Sequence, residues 1–317
     1  MRCADRPGAR GGGISVLNGG GGAPFAAIGI TAINTQFTGN EAIDGGGLSL
    51  RPIYGTATLS MDGCSVTNNT ATGSGGGIAL IPQGDAAIPS AVTATINNTT
   101  ISGNQIGNTV GNSGAGISGF FLTNTNNTLT ITNSIITHNT AASPTSRGGG
   151  IGVQTAPQTV GTSALLQVSV SNTTIANNQA GFGGGAHVGA AVLPAALPVT
   201  TGITTTFTDC IIRDNTAVGR GGGLVLRSFG NHKNTLTRCV FSNNTADNGG
   251  AIDIAGETFE TTVGTLEGEM NECLFVNNTA TTRGGAIRYD DGFGTKTWTF
   301  RNCTATGNTA GQHGFFT

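Results

Sequence analysis

The stretch Cys273-Leu274-Phe275-Val276-Asn277-Asn278-Thr279-Ala280, followed three residues later by Gly284-Gly285-Ala286-Ile287, is one copy of a unit that the chain repeats along its length. Earlier copies begin at Cys239, Cys210 and Cys64 and run into Gly249-Gly250-Ala251-Ile252, Gly221-Gly222-Gly223-Leu224 and Gly75-Gly76-Gly77-Ile78. A repeat of this kind cannot bury its apolar residues alone and must stack on its neighbours, so the period restricts the chain to solenoids, propellers or similar arrays before any single residue is weighed.

The residue after each glycine pair or triplet serves as a marker: Ile14, Leu48, Ile78, Ile117, Ile151, Ala186, Leu224, Ile252 and Ile287, separated by 28 to 39 residues. Each marker opens an alternating apolar pair, such as Leu48/Leu50 or Ile252/Ile254. That is the period of a strand, here named A. A second alternating run, strand B, includes Leu129-Thr130-Ile131 and Val168-Ser169-Val170, and the asparagine motif itself is strand C. Three short strands per repeat, glycine corners and no helical period predict an all-β, right-handed parallel β-helix of about nine coils. A β-propeller has a similar repeat length but needs hairpin turns that are missing here. Length varies in one place, between strands A and B, short from Arg51 to Ala57 and long from Gly189 to Gly202. Seven of the nine prolines (Pro24, Pro52, Pro82, Pro89, Pro157, Pro194 and Pro198) fall in that segment, which predicts surface loops along one edge.

Residues 1–317 are expected to form one solenoid domain, and because both ends interrupt a repeat, a piece of a longer surface or secreted protein. The 54 glycines and 9% charged residues suggest low complexity, but the periodic Ile, Leu, Val and Phe supply a core. A net charge of −2 without a basic run gives no footprint for nucleic acid. No apolar run is long enough for a transmembrane helix, and the first 30 residues do not read as a signal peptide.

The asparagine closing strand C recurs in every repeat, at Asn40, Asn69, Asn104, Asn139, Asn178, Asn215, Asn244, Asn278 and Asn308. Stacked at the strand spacing of about 4.8 Å, these amides are expected to form a hydrogen-bonded ladder, which accounts for the many Asn-x-Thr triplets without glycosylation. The glycines are expected to provide positive φ or close backbone approach rather than a phosphate loop, since no helix follows them. Cys64, Cys210, Cys239, Cys273 and Cys303 occupy the slot held elsewhere by Thr35, Thr99, Ser134 and Thr173. That small inward slot predicts packed thiols, with disulfides and metal as the alternatives.

Residues 201–317 hold nine of the 14 basic and 11 of the 16 acidic side chains. The position after the marker carries His187, Asp253 and Arg288 in the C-terminal repeats, with Arg227 and Asp290 near them. On a strand with one buried face this position points outward, so the three are expected to share a solvated face. Acid, base and arginine on such a face could act on a bound sugar, whereas the plainer reading is solvated charge. His187, Asp253 and Arg288 are therefore the weak catalytic candidates.

The GGAI tetrapeptides at Gly249–Ile252 and Gly284–Ile287, with FxxN at Phe37–Asn40, Phe241–Asn244 and Phe275–Asn278, resemble the repeats of chlamydial-type polymorphic outer-membrane proteins. The resemblance implies a pectin-lyase-like β-helix at the bacterial cell surface or secreted, serving in adhesion or as a passenger domain. The expectation is a non-enzymatic extracellular scaffold binding glycans or host-surface proteins through its loop edge or a sheet face, without a cofactor. The alternatives are a polysaccharide lyase or glycosidase on the same fold and a fibre-forming protein that stacks end to end.

Overall fold

In the computed structural model the described residues are 11–18, 27–83, 88–107, 113–121, 125–156, 163–190, 200–228, 231–256, 265–290 and 295–312. They form four sheets of nine strands, each sheet taking one strand from every coil in chain order. Every pairing is parallel, as the stacking of like segments requires. Sheet A runs from Ile14–Asn18 to Ile287–Tyr289, sheet B from Ile28–Ile33 to Thr295–Arg301 and sheet C from Gln36–Thr38 to Thr304–Thr306. This is the expected parallel β-helix, with one strand per coil more than the sequence suggests.

The additional sheet D begins at Glu41–Ala42 and ends at Thr309–Gln312. Its first four strands are two residues long, as in Thr70–Ala71, too short for an alternating pattern to register. Inward residues of this sheet, Ala71, Ile106, Ala141 and Ala180, pack with Ala115 as a small cluster apart from the main core. The main core is lined by the inward positions of the other three sheets, among them Leu48, Leu59, Val66, Ile252 and Phe275. Phe241 and Phe275 stack there on adjacent coils with ring centroids 5.2 Å apart.

Two corners of each coil are built by a residue with left-handed backbone. Between B and C it is Asn34, Asn98, Asn133 or Asn172, replaced by Asp209, Arg238 and Glu272 further on. Between C and D it is the residue before the ladder asparagine, an Asn at Asn68, Asn177, Asn243 and Asn277 and Gly, His or Asp in the other coils, as at Gly103, His138 and Asp214. Asn tolerates this region because its short polar side chain bonds locally. At the entry to sheet A the first glycine of the triplet takes it, as Gly75 does with φ +67°. The next glycine is needed for contact: a Cβ on Gly46 would sit 2.4 Å from the carbonyl oxygen of Gly76.

Length variation is not confined to the A–B connection. The D–A connection also varies, being longer from Ile106 to Ile117 and from Ala141 to Ile151 than from Ala42 to Leu48. Pro52 is not in a loop but buried at the end of strand Leu48–Pro52, its carbonyl accepting from the Gln83 amide. Pro24, Pro157, Pro194 and Pro198, with most of the Gly189 to Gly202 segment, lie outside the described residues. No helix among the described residues is long and apolar enough to cross a membrane.

Candidate functional site

Sheet A differs from an ordinary half-buried sheet in having both faces covered. In the parallel register His187 lies opposite Val225, Val225 opposite Asp253, and Asp253 opposite Arg288. The sequence places this column in solvent, yet Ser49, Ser118, His187 and Asp253 are all fully buried. The cause is the end of sheet D and its turn into sheet A, which fold back over the sheet; from Phe182 onward the covering residues are the last of the sheet D strands. The amides of Gly148, Gly183 and Gly221 donate to the carbonyls of Phe182, Arg220 and Asn248 on the next coil. The contact is close: a Cβ on Gly152 would fall 2.2 Å from the Arg147 carbonyl oxygen.

The covering layer carries its own column, four residues before each marker: Ser113, Arg147, Phe182, Arg220, Asn248 and Arg283 pair in sequence from coil to coil. Between this layer and sheet A, on the coils of Phe182, Arg220 and Asn248, lies a cavity of about 260 Å³. Phe182 and Arg220 border it on the outside, while His187, Val225, Asp253, Arg227 and Ala255 form the sheet side. Room for it comes partly from Gly189, where a Cβ would approach both Arg227 and the His187 ring. Two members, Arg220 and Phe182, end the sheet D strands Thr216–Arg220 and Gln179–Phe182 and escape sequence reading because a register shift breaks the alternation there. Their signal is their constant offset from the marker.

The expected trio is only partly assembled. Arg288 Nη1 donates to Asp253 Oδ1 at 2.8 Å and Arg288 Nη2 to Asp290 Oδ2 at 2.8 Å, making a bridge at the covered face. Arg220 Nη1 lies 3.8 Å from the same Asp290 Oδ2. His187 sits two rungs from Asp253, with Val225 between them. Neither His187 ring nitrogen nor Asp253 Oδ2 has a hydrogen-bond partner among the described residues. Burial disfavours the charged form of each group. It pulls the His187 imidazole well below its usual range, with repulsion from Arg147 and Arg227 adding to the effect. It raises the Asp253 carboxyl despite the opposing pull of Arg288. Arg227 falls to about 10, chiefly through burial and then through Arg147 and Arg220.

The repeated residues meet as the spacing predicts. Every ladder asparagine from Asn40 to Asn278 donates its amide NH2 to the Oδ1 of the next, at 2.9–3.0 Å, so that Asn40, Asn69, Asn104, Asn139, Asn178, Asn215, Asn244, Asn278 and Asn308 form one chain. Cys64, Cys210, Cys239, Cys273 and Cys303 are free thiols, the first four buried. Cys239 is pushed up to about 12 by its hydrogen bond with Cys210 and by burial, and Cys273 is raised by its bond with Cys239 and by burial. Cys239 and Cys273 are therefore protonated, packed sulfur rather than nucleophilic thiolate, whereas Cys210 is lowered by the bond it shares with Cys239.

On sheet B a shallow groove of about 530 Å³ runs across the first residues of successive strands, where the A–B connections enter. Gly202 leaves a gap between Leu165 on one side and Asn231 and Lys233 on the other, with Glu267 at the far end. Leu165 is 40% exposed there.

Nine coils, four all-parallel sheets and an interior asparagine column define a parallel β-helix solenoid. The Chlamydia polymorphic membrane protein repeat matches residues 238–255 and 272–288. Each match covers strands C, D and A of one coil, including a ladder asparagine and the glycine entry to sheet A. No curated protein and no solved structure matches the chain.

Proposed function

We propose that this chain is a non-enzymatic β-helix scaffold displayed at a bacterial surface, of adhesin or passenger type, that holds a glycan or host-surface protein in the sheet B groove. The observation that carries this reading is the groove itself, about 530 Å³, placed on a parallel ladder at the edge where the A–B connections enter. Recognition surfaces commonly sit on loops and edges positioned by a rigid scaffold. The two repeat matches support the surface location, since the family they define is one of membrane proteins. Burial of His187 and Asp253 under the covering layer supports the non-enzymatic reading, because a polymer on the open face meets neither side chain.

The test uses the fluorescently labelled chain on cultured epithelial cells and on a glycan array. Saturable binding is expected, weakened at least tenfold by Gly202→Trp, whose ring would fill the groove. A Cβ at Gly202 meets only the flexible tip of Leu165 at close range, so the fold should persist. Equal binding by the variant would displace the site from the groove. Release of unsaturated or reducing products from polysaccharides, abolished by Asp253→Ala and Arg288→Ala, would replace the scaffold by an enzyme.

A further inference from the structure

Independently of the sheet B groove, we infer that the cavity between sheet A and its covering layer is a binding site for a small hydroxylated carboxylate, a hydroxy acid held as a free molecule. Three observations point to it. First, fully buried polar atoms face the cavity with no protein partner among the described residues: both nitrogens of His187 and Oδ2 of Asp253. Polar atoms left this way cost about 1–3 kcal/mol each, so a column that keeps them has a reason to be filled. Second, the described lining of the cavity carries two arginines, Arg220 and Arg227, against one carboxylate, Asp253. That carboxylate already accepts from Arg288. Third, the space is small, about 260 Å³, with His187 and Asp253 at its inner wall and Arg220, 38% exposed, at its outer side.

These features fix the ligand chemistry. A carboxylate suits Arg227 and Arg220, whose guanidinium forks match its two oxygens. A simple anion would place its charge against Asp253 Oδ2, an acceptor, so the ligand must bring a donor to that point. A hydroxyl does so, and it also suits a neutral imidazole, which offers one donor and one acceptor. The size admits a free acid of a few carbons and not a polymer.

Isothermal titration calorimetry on the full chain tests this with tartrate, sulfate, erythritol and polygalacturonate. Tartrate is expected to saturate one site, at least tenfold tighter than sulfate, which lacks the hydroxyl, or erythritol, which lacks the charge. Arg227→Gln should weaken tartrate at least tenfold. Arg220→Gln, at a partly exposed position that folding tolerates, should weaken it several-fold. Lys233→Gln, which lies in the sheet B groove, should leave it unchanged. No saturation by tartrate, equal affinity for sulfate or erythritol, tighter binding of polygalacturonate, or indifference to both arginine substitutions would each overturn the assignment. Loss of groove binding by Gly202→Trp with tartrate affinity intact would separate this site from the surface function.

Discussion

The side-chain amides of Asn104 and Asn139, 35 residues apart in the chain, are joined by a 2.9 Å hydrogen bond in the buried interior, and Asn139 Oδ1 also accepts from the Asn104 backbone amide. Asn139 in turn donates to the Ile101 carbonyl and to Asn178 Oδ1. Each ladder amide is thus fully used, which is how a buried polar column avoids the cost of desolvation. Asn139→Leu should therefore destabilise the protein by about 3–5 kcal/mol, since several partners are orphaned together. Urea unfolding of the variant beside the parent measures this. A cost below 1 kcal/mol would show that the column is ornamental to stability.

The cysteine slot should behave in the opposite way. Thr99, Ser134 and Thr173 fill it in other coils, each donating its hydroxyl to the carbonyl two residues earlier. Cys239 directs its thiol to the equivalent Thr237 carbonyl. Cys239→Ser should thus cost on the order of 1 kcal/mol, whereas Ile252→Ala, in the fully buried core, should cost about 2–5 kcal/mol. Denaturant midpoints compare the two. The reverse order would mean that the sulfur bonds to something.

Glu272 holds a left-handed backbone at φ 56° at a corner where most coils place Asn or Gly. An L-residue without a compensating local bond pays about 1–2 kcal/mol there. Glu272→Asn should raise the stability by about 0.5–1 kcal/mol. Thermal unfolding checks the sign, and a lowered midpoint would show that the carboxylate has a stabilising role.

Acid should weaken the fold through its buried histidines. His232 lies between Ile203 and Leu266 in the sheet B ladder, and burial lowers it to about 3. Below the unfolded value of about 6.5 the unfolded chain binds a proton that the folded chain refuses, so stability falls as pH drops from there towards 3, by about 1.4 kcal/mol per unit for this group. His187 acts in the same direction. Asp253, raised in the fold, acts oppositely, its contribution being lost as pH rises through its folded value. His232→Leu should remove one part of the acid slope while joining an apolar row. Unfolding free energies at pH 7, 6 and 5 for both proteins measure it, and identical slopes would refute the assignment.

The architecture was legible because the markers from Ile14 to Ile287 and the asparagines from Asn40 to Asn308 each repeat a physical demand, a glycine corner or a paired amide, in every coil. Sheet D was hidden because two residues such as Thr70–Ala71 carry no period. The environment of His187 and Asp253 was misread for another reason. Alternation tells which residues share a face, but not what lies over that face. The alternation breaks where sheet D passes into the covering layer, so Arg147, Phe182 and Arg220 become meaningful only once Gly148, Gly183 and Gly221 are seen to fold the chain back on sheet A. Within each Asn-Asn pair the two residues look alike in sequence, although Asn243 bends the backbone and Asn244 joins the column.

The asparagine chain also has a direction. In every link the NH2 group belongs to the earlier coil and the carbonyl oxygen to the later one. The nine amide dipoles consequently share one sense along the solenoid axis, with the hydrogen-bearing ends aimed toward the C-terminal coils. Dipoles joined head to tail polarise one another, so each bond is strengthened by those beyond its neighbours. A solenoid whose parallel strands contribute little net field is thereby given an electrical polarity, carried by side chains that never reach its surface.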